Sequence, residues 1–262
     1  MTAALRYEIV RLRTLRSTWW LLVGAIVANG LISFGLSWAA RTTNLGAEGL
    51  AWAITGGGSF APLPLTAVFA GLVGVFCFGH EYRYGTIRAA LTAVPRRGAL
   101  LAAKIIVTTV WSFLLAIVCG AVGWAVAIIT AGNHMSQYGI GDDSVGRVLV
   151  GFVLLTMMWG LVGLAFAGLF RNLPAALVLL LLIPLVIESI LAVILFLVPA
   201  LDSIQWLTKY LPFTAGQQMV ATDTSFGDGP DVFGPLGGGI TFGVFALLLL
   251  IGCALSFSRR DA

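Results

Sequence analysis

The sequence predicts an all-α integral membrane protein. It has six transmembrane helices, an amphipathic interfacial helix before the first, and a short cytoplasmic helix between the second and third. Three observations carry this. Hydrophobic residues fill 59% of the 262 positions and charged ones only 10%, with a mean hydropathy of +1.00, whereas a soluble domain carries about 25% charged residues. Six stretches reach the roughly 20 largely apolar residues that cross a bilayer core of about 30 Å. The basic residues, finally, are sorted to alternate ends of those stretches.

Residues 1–18 come first. On a helix, Leu5, Ile9, Leu12, Leu15 and Trp19 fall on one side, flanked by Arg6, Arg11 and Arg13. That pattern suits a helix lying in the interface with its arginines on lipid phosphates. The spans follow as Trp19–Ala40, Phe60–Gly79, Ile105–Ala131, Val148–Phe170, Pro174–Pro199 and Leu236–Phe257, in a single transmembrane domain over 1–262. The first is too long for a secretory signal core and no cleavage site follows it.

Six spans place both termini on one side. The flanks on that side hold Arg6, Arg11, Arg13, Arg16, Arg83, Arg88, Arg96, Arg97, Lys104, Arg171, Arg259 and Arg260; the other flanks hold only Arg41, Arg147 and Lys209 of the 15 basic residues. Basic flanks mark the cytoplasm, so both termini and the segment 80–104 are expected there. The net charge of +4 reflects this sorting and gives no reason to expect nucleic acid.

Small residues four apart (Gly24/Ala28, Ala67/Gly71, Ala70/Gly74, Ala116/Gly120, Gly239/Gly243) predict close helix packing. Outside the spans, 41–59 reads as a Gly-rich loop and 132–147 as an acidic one. The longer segment 200–235 is apolar enough to dip into the membrane: Ile204, Trp206, Leu207, Tyr210 and Leu211 share a helical face, Pro212 breaks it, and Thr214 can cap another short helix.

Catalytic patterns fail on inspection. His80-Glu81-Tyr82-Arg83-Tyr84 lacks the second His of a zinc-protease HExxH, and Gly57–Ala61 lacks the last Gly of GxSxG. The chain's two histidines, His80 and His134, fall on opposite sides, so no metal site or His-based triad is expected. Without a G-x-x-x-x-G-K-[ST] run there is no P-loop for ATP. The chain is not read as an enzyme, and no cofactor is expected on it.

The stretch from His80 to Lys104 is more than a topogenic loop. Glu81 follows directly on the second span, and Tyr82–Gly85 turns the chain. Thr86 can cap a short helix, Thr86–Ala93, with Arg88 on its polar side and Ile87, Leu91 and Val94 on its apolar side. Pro95 ends it and opens a second helix, Arg96–Lys104, that feeds span three. A helix parallel to the membrane and tied to two spans is a handle for a soluble partner.

Glu81-x-x-x-Gly85-Thr86, followed by Pro95, Arg97 and Lys104, resembles the cytoplasmic signature of ABC-2 type transporter permeases. Val10–Leu22 is similar to the entry to span one in actinobacterial members, although Arg11 stands where many relatives carry Lys. "YLPFTAGQQ" resembles their segment before the last span. The resemblance covers nearly the whole chain. It implies a permease subunit of an ATP-driven exporter in the bacterial plasma membrane, working by alternating access with a second permease copy or homologue. ATP and Mg would be bound by separate ATPase chains. Thr86–Ala93 would be the coupling helix, with Glu81, Gly85, Thr86, Ile87, Arg88, Leu91, Pro95 and Arg97 as the ATPase-binding set. The substrate would be a small or lipid-like molecule.

Glu188 is the one acid inside a span. An ionised carboxylate costs about 2.5–3.5 kcal/mol or more at mid-bilayer, so it needs a proton, a partner or a cavity. It can face the substrate pathway, or bond to a neighbouring span, for instance at Asn29. Two other classes share some features. A secondary transporter needs paired acids or broken helices in both halves, and a scaffold or sensor could use the same cytoplasmic handle without ATP.

Overall fold

The computed structural model describes residues 2–40, 46–58, 63–94, 96–132, 143–222 and 233–259. Among them the regular elements are all helical: α1 Thr2–Thr14, α2 Arg16–Ala39, α3 Gly46–Thr55, α4 Leu65–Arg83, α5 Ile87–Ala93, α6 Arg97–Ala131, α7 Asp143–Phe170, α8 Leu173–Leu182, α9 Ser189–Leu197, α10 Pro212–Gln217 and α11 Pro235–Arg259. A π-helical stretch, Ile183–Glu188, joins α8 to α9, and 3-10 helices cover Pro199–Tyr210 and Gln218–Val220. Six of these helices are long and apolar enough to cross a membrane: α2, α4, α6, α7, the composite Leu173–Leu197, and α11.

The centre of the bundle is α4 against α7, its most extensive helix contact. Glycines make it possible. A Cβ on Gly74 would lie 2.0 Å from the Gly160 carbonyl oxygen, and one on Gly163 would lie 2.1 Å from that of Gly71. In lipid, helices gain little from apolar surface alone, so backbone approach through small residues supplies the contact. Around this pair, Trp159, Phe78, Phe213 and Phe242 are fully buried. α2, Leu173–Leu197 and α11 stand outside, with Trp20, Leu31, Phe196 and Leu236 among many apolar side chains turned outward.

Helix α6 is a single run of 35 residues, roughly 52 Å at 1.5 Å per residue. It absorbs most of the separate helix expected over Arg96–Lys104 and projects well past a hydrocarbon core of about 30 Å. Its N-terminal end packs against α1.

The expected loop 41–59 contains a helix. In α3, Leu50, Ala53 and Ile54 form a buried face against α6 and α7. Its C-terminus turns on Gly56, at φ 68°, where the Gly57 amide donates to the Trp52 carbonyl at 2.7 Å. This is the six-to-one bond of a Schellman cap. The run Leu50, Ala53, Ile54 has helical spacing, but three glycines at Gly56–Gly58 and few residues made the segment read as a turn.

The fifth span is not a plain helix. Pro184 has no amide to give, and the backbone widens into π geometry around it. The Ser189 hydroxyl donates to the Pro184 carbonyl at 3.3 Å. The segment after it forms a 3-10 helix where an apolar α-helical face was expected. α10 and the 3-10 turn Gln218–Val220 then wedge between α7 and α11, where a Cβ on Gly238 would lie 2.2 Å from the Ala215 oxygen and one on Gly151 would lie 1.9 Å from that of Met219.

Candidate functional site: a buried charge cluster under the α4–α6 connection

Four charged side chains meet where α1, α4 and α6 converge. Lys104 on α6 is fully buried. Its ammonium contacts Glu8 Oε1 at 2.6 Å, Glu81 Oε1 at 2.8 Å and the Cys77 carbonyl at 3.1 Å. An ammonium has three donors, and all three are used. Arg11 contacts Glu8 Oε2 at 2.9 Å and Glu81 Oε1 at 2.8 Å, and donates to the Phe76 carbonyl at 3.0 Å. Two acids and two bases sum to zero, which is what burial demands of charges.

The sequence places these groups by simple spacing. Ala4, Glu8 and Leu12 recur every four residues on α1 and form its buried face. Cys77 and Glu81 lie one turn apart at the lower end of α4. The Phe78 ring covers the Lys104 ammonium at 4.9 Å. Burial works against the charge on Arg11, but the carboxylates of Glu81 and Glu8 beside it favour that charge, and its pKa is raised. Tyr7, on the same helix, is pushed above its ordinary value by burial and then by Glu81. Two expectations change here. Arg11 turns inward and does not reach head groups, and Glu8, which carries half the acid of the cluster, was not singled out from the sequence.

Glu81 itself is buried within this cluster, so its carboxylate does not present a surface to another chain. Gly85, at φ 66° with open space around it, makes the turn after α4. Thr86 precedes α5 in helical conformation; its carbonyl accepts from Ala90 at 3.0 Å, but its side chain makes no cap, contrary to expectation. Ile87, Ala90 and Val94 are buried in the main core, with Leu91 packed beside them. The apolar side of α5 therefore faces the bundle, and the outward side presents Arg88, Ala89 and Thr92. Arg83, Tyr84 (67% exposed) and Arg96 continue that surface. Arg97 lies half-buried, donating to the Phe257 carbonyl at 3.4 Å; with Arg171 on the Ser256 carbonyl at 2.9 Å it neutralises the negative end of the α11 dipole. Pro95 lies outside the described residues.

The two residues expected along a substrate pathway both make hydrogen bonds within the bundle, and not with each other. Glu188 accepts from the Phe213 amide at 2.9 Å, the Thr214 amide at 2.7 Å and the Thr214 hydroxyl at 2.8 Å. It caps α10 from a different segment, where Pro212 has no amide to offer, so Thr214 is held by a cap and does not supply one. Asn29 donates to the Cys119 carbonyl at 2.8 Å and the Ile54 carbonyl at 3.5 Å, and accepts from Thr66 at 3.4 Å. It staples α2 to α3, α4 and α6.

A family model described as ABC-2 family transporter protein matches residues 4–187, which takes in the charge cluster, α5 and both helices of the central pair. The chain belongs to the ABC-2 transporter family. It is accordingly a multi-pass permease component of an ABC transporter, a subunit type without its own ATPase site that works with an ABC ATPase. A search of curated proteins found no match.

Proposed function

We propose that this permease forms half of the membrane pathway of an ATP-driven exporter. It pairs with a second copy or a homologous permease, and two separate ATPase chains, which bind ATP and Mg, drive it by alternating access. The chain sits in a bacterial plasma membrane with its termini, α1 and α5 on the cytoplasmic side. The substrate is a small or lipid-like molecule.

One observation supports this best. α5 is embedded by its apolar side, while its outward side and the adjoining turn offer Arg83, Tyr84, Arg88 and Arg96 together with small residues that admit close approach. A partner pressing there moves the lower ends of α4 and α6, and through the charge cluster it moves α1 as well. Gly85, Thr86 and Arg88 then belong to the contact, Ile87 and Leu91 seat the helix, and Glu81 and Arg97 hold its supports in place.

The test is whether an ABC ATPase co-purifies with the permease from its native membrane in mild detergent. Arg88→Glu with Ala89→Glu reverses and crowds the outward side without touching the core. A stoichiometric ATPase bound to the parent and lost from the folded double variant supports the reading. Retention by the variant, or no ATPase with the parent, counts against it and favours a scaffold role.

A further inference from the structure

Helix α1 has three faces. Ala4, Glu8 and Leu12 face the protein. Around from them, Leu5, Ile9 and Leu12 line a groove of about 420 Å³ whose opposite wall is α6, including Val110 and Trp111. Further around, Arg6 and Arg13, seven residues apart and so on nearly the same side, point outward. Arg13 sits on the lip of the groove and is its one charged lining residue.

The charge on this surface is one-sided. Arg6, Arg13 and Arg16 are exposed and meet no acid among the described residues. The one acid of α1, Glu8, is buried in the cluster. An apolar slot that opens between an interfacial helix and a span admits a hydrocarbon chain, and a lone cation at its lip selects an anion above it. Ile9 stays 46% exposed within the slot, apolar surface that the protein itself leaves uncovered.

We infer that the α1–α6 groove is a seat for an anionic phospholipid of the leaflet that carries α1, with an acyl chain along Leu5, Ile9 and Trp111 and its phosphate at Arg13. The lipid wedges α1 against α6. That is the contact through which Glu8 and Arg11 enter the charge cluster, so occupancy stabilises the cluster. The seat rests on the fold alone and stands or falls independently of ATP coupling.

The purified permease, stripped of lipid, is titrated with phosphatidylglycerol and phosphatidylcholine of identical chains, and bound lipid is counted by native mass spectrometry. Inorganic phosphate serves as the chain-free control. A basic residue near a lipid surface favours an anionic head group by about fivefold. The parent should therefore prefer phosphatidylglycerol by at least that factor, Arg13→Gln should lower the preference about fivefold, and Arg13→Lys should keep it. Ile9→Trp, which fills the slot, should reduce retention of both lipids. Thermal stability should rise in phosphatidylglycerol nanodiscs relative to phosphatidylcholine, and Arg13→Gln should lose most of that rise. Equal retention of the two lipids by the parent, an unchanged preference in Arg13→Gln, or stabilisation by phosphate alone would each overturn the proposal. So would Ile9→Trp dissociating a permease dimer with its lipid intact, because the groove would then seat a protein.

Discussion

Replacing Lys104 with Met tests the charge cluster most directly. Methionine keeps the length and apolar stem of the side chain and removes only the ammonium. Three contacts vanish, to Glu8, Glu81 and the Cys77 carbonyl, and two buried carboxylates are left facing a single Arg11. Removing one partner of a buried pair costs about 3–5 kcal/mol, a drop in melting temperature on the order of ten degrees for a chain of this size. Glu8→Gln alone leaves the opposite imbalance, with Arg11 and Lys104 against Glu81. The double variant is neutral again, because Glu81 and Arg11 remain paired at 2.8 Å. Thermal unfolding of the four proteins in one detergent forms a double-mutant cycle. The double variant should be more stable than the summed single losses by about 1–3 kcal/mol. Additivity within about 0.5 kcal/mol, or a Lys104→Met loss below about 1 kcal/mol, would refute the claim that charge balance holds α1, α4 and α6 together.

Other substitutions probe the remaining contacts. Glu188→Ala strands the Phe213 and Thr214 amides, each worth about 1–3 kcal/mol when left unpaired in a buried site, and should expose a cysteine placed at Thr214 to thiol reagents; Glu188→Gln, which keeps one acceptor oxygen, should do so less. Gly74→Ala puts a methyl 2.0 Å from the Gly160 oxygen and should abolish monodisperse elution, while Gly243→Ala, 3.5 Å from the end of Met158, should elute normally. Asn172→Ala removes the side-chain bond to the Ala175 amide at 3.2 Å and should cost about 1 kcal/mol of thermal stability.

Hydropathy alone located six spans, because a 20-residue apolar run has few other uses. It could not show that α6 is continuous through Arg97–Lys104, since charged residues hide a helix from a hydropathy count. α3 was missed for a related reason: its ten residues are too few to span, and the glycines after it signal a turn. The loose polar residues of the spans were visible but their partners were not. Asn29 and Glu188 bond to backbone groups of α3 and α10, and no side-chain pattern announces which carbonyl or amide will be free. Glu8 was visible as the one acid on a basic helix. Its spacing from Ala4 and Leu12 marks the buried face, and an acid on a buried face calls for a cation such as Lys104.

These polar residues share a purpose. Spans are held in place by lipid, but α1, α3 and α10 do not cross the membrane, and apolar contact fixes a short helix poorly where the solvent is itself apolar. Each is fastened by directed bonds to a span. Glu8 and Arg11 fasten α1 to α4 and α6, Asn29 and Ser33 on α2 hold the α3 carbonyls of Ile54 and Ala53, and Glu188 holds α10. The exception is α5. Among the described residues it makes no hydrogen bond or ion pair to a span, and only its apolar side anchors it. On the proposed function α5 follows the ATPase, and a seat of this kind slides more easily than a hydrogen-bonded one. Hydrogen exchange should therefore show α5 opening at lower free energy than α3 or α10, with its protection rising when the ATPase binds. Equal protection of all three helices in the free permease would mean that α5 is as firmly fixed as the others, and the sliding seat would have to be abandoned.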